Sequence, residues 1–247
     1  MEDVKTLQQR LLYQSTACVV INKIKGEAVE GASENMVDLP KALSSLLPVN
    51  TELIEAVQRL DVPVTGCALF ALTKDALVFL NDLFSGKAFA GKSETAVKKI
   101  YWAIAEKPSR AINEDIFSGE EIVHWIETNT QKNKSFAYGE QAPGRKKASL
   151  RLRKTGEGDN YLFLEIELLS GRHHQIRAQL AKEGLYIKGD LKYGAKRSEK
   201  GGGIRLHARS LSFPDPLKKD ERISITADPP ELDNLWQSMM NVVSVPL

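Results

Sequence analysis

The chain has 247 residues and a mass of 27.4 kDa, with a formal net charge of +2, 42% hydrophobic and 27% charged residues. That is the composition of an ordinary folded domain, and it excludes disorder, collagen and coiled coil. No apolar run approaches the roughly 20 residues needed to cross a bilayer. The opening MEDVKTLQQR lacks the basic and apolar regions of a secretory signal, so a cytoplasmic location is expected. Cys18 and Cys67 sit in ACVVI and GCALF and are expected as buried free thiols in a reducing compartment.

Taken in chain order, residues 4–13 are expected to form a short helix, and residues 17–23 (ACVVINK), apolar and β-branched, a strand. Residues 25–50, with Gly26, Gly31, Pro40 and Pro48, read as mostly loop. Residues 53–57 form an apolar patch leading into QRLDVPVTG, where Pro63 and Gly66 mark a turn. Residues 67–72 (CALFAL) read as a buried strand. Thr73 is then the expected N-cap of a helix through Leu77, Leu80 and Phe84, with Gly86 past its end. Residues 98–105 (KKIYWAIA) alternate as a strand, Ile100, Trp102 and Ile104 on one face and Tyr101 on the other.

Residues 121–128, 148–154 and 161–169 read as further strands, the last two joined by TGEGDN as a hairpin. Residues 173–182 have helical spacing through Ile176 and Leu180 and stop at Gly184. Residues 204–213 and 222–226 read as strands, and Pro229-Pro230 opens a last helix with Leu232, Leu235, Trp236 and Met239. Many strands, few helices and no βαβ rhythm predict an α+β fold, with a mixed, largely antiparallel sheet flanked by helices and loops. No repeat and no long linker divides the chain, so one domain over residues 1–247 is expected.

Charge is unevenly distributed. Residues 142–209 hold 16 Lys/Arg against 7 Asp/Glu, a local +9 that leaves −7 for the remainder. This is the pattern of a polyanion-binding face, or of a merely solvated one. Four segments carry candidate chemistry. In Gln58-Arg59-Leu60-Asp61 an acid beside an arginine precedes a buried strand, as catalytic group or as structural ion pair. Gly171-Arg172-His173-His174-Gln175-Ile176-Arg177 places cations at an expected helix start, where they oppose the helix dipole and call for an anion. Ile187-Lys188-Gly189-Asp190-Leu191-Lys192-Tyr193-Gly194 is a basic loop, and Arg205-Leu206-His207-Ala208 lies in a strand. No Cys/His spacing or HExxH accompanies the histidines and no phosphate-loop pattern accompanies the glycines, so neither a metal nor a cofactor is expected.

The order QRLDVPVTG, KKIYWAIA, GRHHQIRAQLAKEGLYIKGDLKYG and RLHARSLSFPDP resembles the RluA-type family of RNA pseudouridine synthases. That family shows HRLD-x-x-TSG, a K-x-Y strand, GRTHQIR followed by GD-x-x-YG, and LHA before an F-x-x-P turn. Gln58, Val64-Thr65 and His173 depart from the pattern. The small RNA-binding domain that many relatives carry ahead of the catalytic domain is not seen.

The resemblance implies an isomerase that turns uridine in ribosomal or transfer RNA into pseudouridine. It implies Asp61 as nucleophile, Tyr101 as the active-site tyrosine stacking on uracil, and Arg177 as ion-pair partner of Asp61. Arg59 would fill the stack left by a flipped uridine. Arg172, His174, Lys188, Lys192 and Lys196 are the expected RNA contacts. A monomer with no membrane attachment is expected. The rival readings are a non-catalytic RNA-binding module on the same fold and, more weakly, a phosphate-ester hydrolase.

Overall fold

The computed structural model describes residues 4–34, 36–47, 53–86 and 97–243. The chain opens with α1 (Val4–Gln8), β1 (Leu11–Gln14), β2 (Cys18–Lys23), β3 (Glu27–Ala28), β4 (Val37–Asp38) and α2 (Leu39–Leu46). Then come β5 (Glu55–Ala56), β6 (Thr65–Ala71), α3 (Lys74–Phe84), β7 (Lys98–Glu106), β8 (Glu121–Asn129) and β9 (Lys134–Tyr138). The remainder is β10 (Lys146–Glu157), β11 (Tyr161–Leu168), α4 (Gln175–Lys182), β12 (Leu206–Pro214), β13 (Arg222–Thr226) and α5 (Asn234–Val243). The fold is α+β, as expected. β1–β2, β2–β6, β5–β6, β7–β11, β8–β9, β8–β10, β10–β11 and β12–β13 pair antiparallel, and the short β3–β4 pair is parallel. Among the described residues no helix is long and apolar enough to cross a membrane.

The chain forms two compact units, Met1–Lys99 with Ala208–Pro230, and Ile100–His207 with Glu231–Leu247. In the first, the strand order is β1-β2-β6-β12, with β13 on β12 and β5 on β6. Cys18 to Ile21 and every residue of β6 are buried. Such unbroken apolar runs belong to strands covered on both faces. Both cysteines lie within them as free thiols, and burial pushes Cys18 up to about 11 and Cys67 up to about 12. α3 starts where expected, with the Thr73 hydroxyl accepting the Ala76 N–H at 3.2 Å.

Two expectations for this unit are corrected. The helix expected over 4–13 ends at Gln8, and Leu11–Gln14 is instead an edge strand on β2. Arg10 between them turns inward to Glu27, a tertiary partner that the local pattern does not reveal. The loop expected over 25–50 contains α2. The Asp38 side chain caps its start by accepting the Lys41 N–H at 3.2 Å, and Leu39 and Leu43 are buried beneath it. Pro40, read as loop punctuation, sits in the first turn, where its missing N–H costs no intrahelical bond.

The second unit is built on the antiparallel order β7-β11-β10-β8-β9. The β10–β11 hairpin is present, with strands running closer to its turn than expected. β9 was not anticipated: it is short, and Phe136 on it is exposed. Register fixes which residues share a face. Tyr101 lies opposite Ile166, Ile166 opposite Leu152, and Ala148 opposite His124. With Leu150 between Leu152 and Ala148, these residues line one face of the sheet. The other face presents Trp102, Ile104 and Phe163, covered by Trp236 and Met239 of α5.

α4 lies on the Tyr101 face, tied to it by polar contacts. Gln175 Nε2 donates to the Ser149 carbonyl at 3.0 Å, and Gln179 Nε2 meets His124 Nδ1 at 3.1 Å. Gln175, Arg177 and Gln179 are all buried. The helix begins at Gln175, two residues later than expected, because His174 adopts a left-handed conformation at φ 50°.

Candidate active site

In the first unit Asp61 stands, half-buried, in the turn that leads from β5 to β6. Its carbonyl accepts the Val64 N–H at 2.9 Å. The loop is anchored from β2 by Lys23, whose side chain is fully buried. Lys23 Nζ reaches the carbonyls of Asp61 at 3.3 Å, Val62 at 3.0 Å and Val64 at 2.6 Å, and that of Ile24 at 3.1 Å. An ammonium with three protons thus serves four acceptors and draws three loop residues onto one point. Burial pushes Lys23 down to about 8, with the Glu27 and Asp61 carboxylates acting in the opposite direction.

Glu27 is itself buried, gripped by the Arg10 guanidinium at 2.7 and 3.0 Å and by the Ile24 N–H at 2.8 Å. Gln58, at the position of the family's histidine, donates Nε2 to the Cys67 carbonyl at 2.8 Å. Arg59 is exposed, 3.5 Å from the equally exposed Glu30. Gly66 enters β6 at φ +109°, and a Cβ there would lie 2.3 Å from the Ala208 carbonyl oxygen. That approach of two backbones is why the turn ends in glycine.

In the second unit Arg177 is buried and forks onto Asp190, Nε to Oδ2 at 2.7 Å and Nη2 to Oδ1 at 2.8 Å. Its guanidinium lies 4.9 Å from the centre of the Tyr193 ring. The Tyr193 hydroxyl donates to the Ser135 carbonyl at 3.0 Å and accepts the Ser135 N–H at 2.9 Å. With that proton committed, His174 Nδ1 donates to the hydroxyl at 3.0 Å. The His173 ring stacks on His174 at 3.9 Å. Its Nε2 donates to Asn133 Oδ1 at 3.0 Å, and its Nδ1 pairs with Ser135 Oγ at 2.8 Å. Tyr101 is buried on the sheet face that carries α4.

The expectation of four cations inside the first turns of a helix is therefore corrected. Arg172, His173 and His174 precede α4, and Arg177 projects from it onto a carboxylate. The anion this segment calls for within its own unit is Asp190, 13 residues further on.

The remaining expected contacts are placed differently from one another. Arg172 and Lys192 are exposed and bond to carbonyls, those of Lys147 at 3.0 Å and Asn133 at 3.1 Å. Lys196 is exposed, its main-chain N–H on Glu106 Oε1 at 3.0 Å. Lys188 is ion-paired with Glu199, which Arg205 also contacts.

Sequence reasoning passed over Lys23, Asp190, Tyr193 and Gln175 as working residues. A lysine ending an otherwise apolar strand was the available signal for the first. For Asp190 and Tyr193 it was their place in GDLKYG.

Comparison with solved structures identifies the scaffold as one found in pseudouridylate synthases. Human RNA Pseudouridylate Synthase Domain Containing 4 superposes with a TM-score of 0.68 at 20% identity, covering 99% of this chain and 96% of that one. Human RNA Pseudouridylate Synthase Domain Containing 1 gives 0.66 at 21% identity, over 100% and 98%. The RNA pseudouridylate synthase family model matches residues 17–182. The chain belongs to that family and is an isomerase acting on RNA.

Among similar curated proteins is a ribosomal large subunit pseudouridine synthase C of Haemophilus ducreyi. It is 28% identical over 235 residues, covering 92% of this chain and 68% of the relative. A tRNA pseudouridine synthase C of the same organism is 27% identical over 250 residues, covering 94% of each.

Proposed function

We propose that the protein converts specific uridines of ribosomal or transfer RNA to pseudouridine, with Asp61 as the nucleophile. The observation that carries this reading is the family match over residues 17–182, a span that includes Asp61, Tyr101 and Arg177. Relatives named for ribosomal and for transfer RNA are similar to the chain to nearly the same degree, so both substrate classes are included.

The reaction breaks the bond between ribose carbon and uracil nitrogen, turns the base, and forms a carbon–carbon bond in its place. Nothing is oxidised and no group leaves, so the proposed chemistry needs no metal or cofactor. The Asp61 carboxylate supplies the anionic group that an electrophilic sugar or base centre requires. Lys23 fixes the backbone of its loop, and an ion pair with Arg177 would keep the carboxylate charged and oriented. Tyr101 stacks on the uracil. Arg59, exposed and planar at its tip, fills the gap in the RNA stack when the uridine is flipped out. Arg172, Lys192 and Lys196 contact the RNA backbone, while His174 and Lys188 hold the loops that present them.

Asp61→Asn preserves size and hydrogen bonding but removes the anionic nucleophile. It is expected to abolish pseudouridine formation on total RNA from a strain lacking the gene, while RNA affinity stays within several-fold of wild type. Near-normal turnover would make Asp61 structural. Failure of the unaltered protein to form any product would favour a binding module.

A further inference from the structure

We propose that Lys134 and Lys192 form a phosphodiester-binding subsite for the RNA substrate, built from two loops of the second unit. Lys192 Nζ donates to the Asn133 carbonyl at 3.1 Å, and Lys134 Nζ donates to the Lys192 carbonyl in return. Each lysine thereby caps the backbone beside the other, although they lie 58 residues apart.

The two loops are held firmly. Asn133 turns at φ 44°, its N–H on the Thr130 carbonyl at 3.1 Å and its side chain accepting from His173. Tyr193, next to Lys192, is locked by both polar groups of the Ser135 backbone. Lys134 adds a contact with the Tyr193 ring at 4.9 Å.

What points to a ligand is the missing countercharge. Elsewhere in this unit Lys107, Lys154 and Lys188 are paired with glutamates. Among the described residues neither Lys134 nor Lys192 is paired with a carboxylate. Each bond to a carbonyl uses one ammonium proton of three and leaves the positive charge without a countercharge. A phosphodiester supplies both the missing charge and the acceptors. Arg177 faces the same Tyr193 ring, so the bound phosphate would belong to a nucleotide near the target uridine. That placement rests on the reading under Proposed function; the pairing of the two lysines does not.

The test compares Lys134→Gln, Lys192→Gln and the double variant with wild type. Filter binding of end-labelled total RNA would be followed across a potassium chloride series, alongside KM, kcat and thermal melting. Each single variant is expected to lower the log–log salt slope by about 0.7–0.9, the signature of one lost phosphate contact. KM should rise more than kcat falls, and the double variant should lose less than the two singles added, because they share one phosphate. Lys134→Arg and Lys192→Arg should restore the slope. Unchanged slopes and KM in the glutamine variants overturn the subsite, as does a lowered melting point with the salt slope intact. If wild type forms no pseudouridine yet the slopes still fall, the subsite stands and the catalytic reading fails. If wild type is active and the slopes are unmoved, the reverse holds.

Discussion

Lys99 offers a quantitative check on the electrostatics of the first unit. It lies in β7, buried, with the Phe84 ring 5.7 Å from its ammonium, and no carboxylate among the described residues pairs with it. Burial alone pushes it down from lysine's ordinary 10.5 to about 8. Since a tenfold change in proton affinity is about 1.4 kcal/mol, the buried charge works against folding by about 3 kcal/mol.

The direction follows from linkage. The unfolded chain binds this proton more tightly, so the penalty is complete below about pH 8 and is relieved as the pH rises toward the ordinary lysine value. Lys99→Met keeps a slender, unbranched side chain and removes the charge. It should stabilise the protein by about 2–3 kcal/mol near pH 7, with the gain shrinking to nothing at strongly alkaline pH. Urea denaturation of both proteins across that pH range measures the difference, and the contribution of Lys23 cancels because both contain it. A Lys99→Met protein no more stable than wild type near neutrality, or a gain independent of pH, would refute the argument.

Four further outcomes follow. Asp190→Asn breaks the buried forked pair with Arg177 and should cost about 3–5 kcal/mol in the same urea assay, whereas a surface pair would cost under about 1. Arg177→Lys keeps the charge but not the fork, so turnover should recover only partly relative to Arg177→Ala; full activity in both would remove Arg177 from the site. Lys23→Met leaves up to four carbonyls without their donor and should lower turnover on RNA more than RNA affinity, with wild-type kinetics as the contrary result. Gly66→Ala sets a Cβ against the Ala208 backbone at a positive φ and should lower the melting temperature by several degrees; an unchanged melt would show that the two strands separate freely.

Legibility in the sequence varied from element to element. KKIYWAIA announced β7 because alternation reports directly on a pleated strand with two distinct faces. Thr73 announced α3 because a cap acts within four residues of itself. α2 was hidden by Pro40, which breaks a helix interior but suits a first turn, and its position relative to the cap was not legible. β9 was hidden because a five-residue strand with one fully buried side chain owes its existence to β8 beside it. Asp61, Tyr101 and Arg177 could be proposed as a set because their motifs are local strings in a fixed order.

By itself, then, the sequence determined the longer strands β2, β6, β7, β8, β10, β11 and β12, where α3 is capped, and which residue types stand at the motif positions. These depend on interactions within a few residues along the chain. Only the tertiary structure decided that Lys23 anchors the loop of Asp61, that Arg177 forks onto Asp190, and that Lys134 and Lys192 cap one another's loops. A charged side chain bonds to whatever the fold brings within about 3 Å of it, and those partners lie 13 to 59 residues away, where no local pattern reaches.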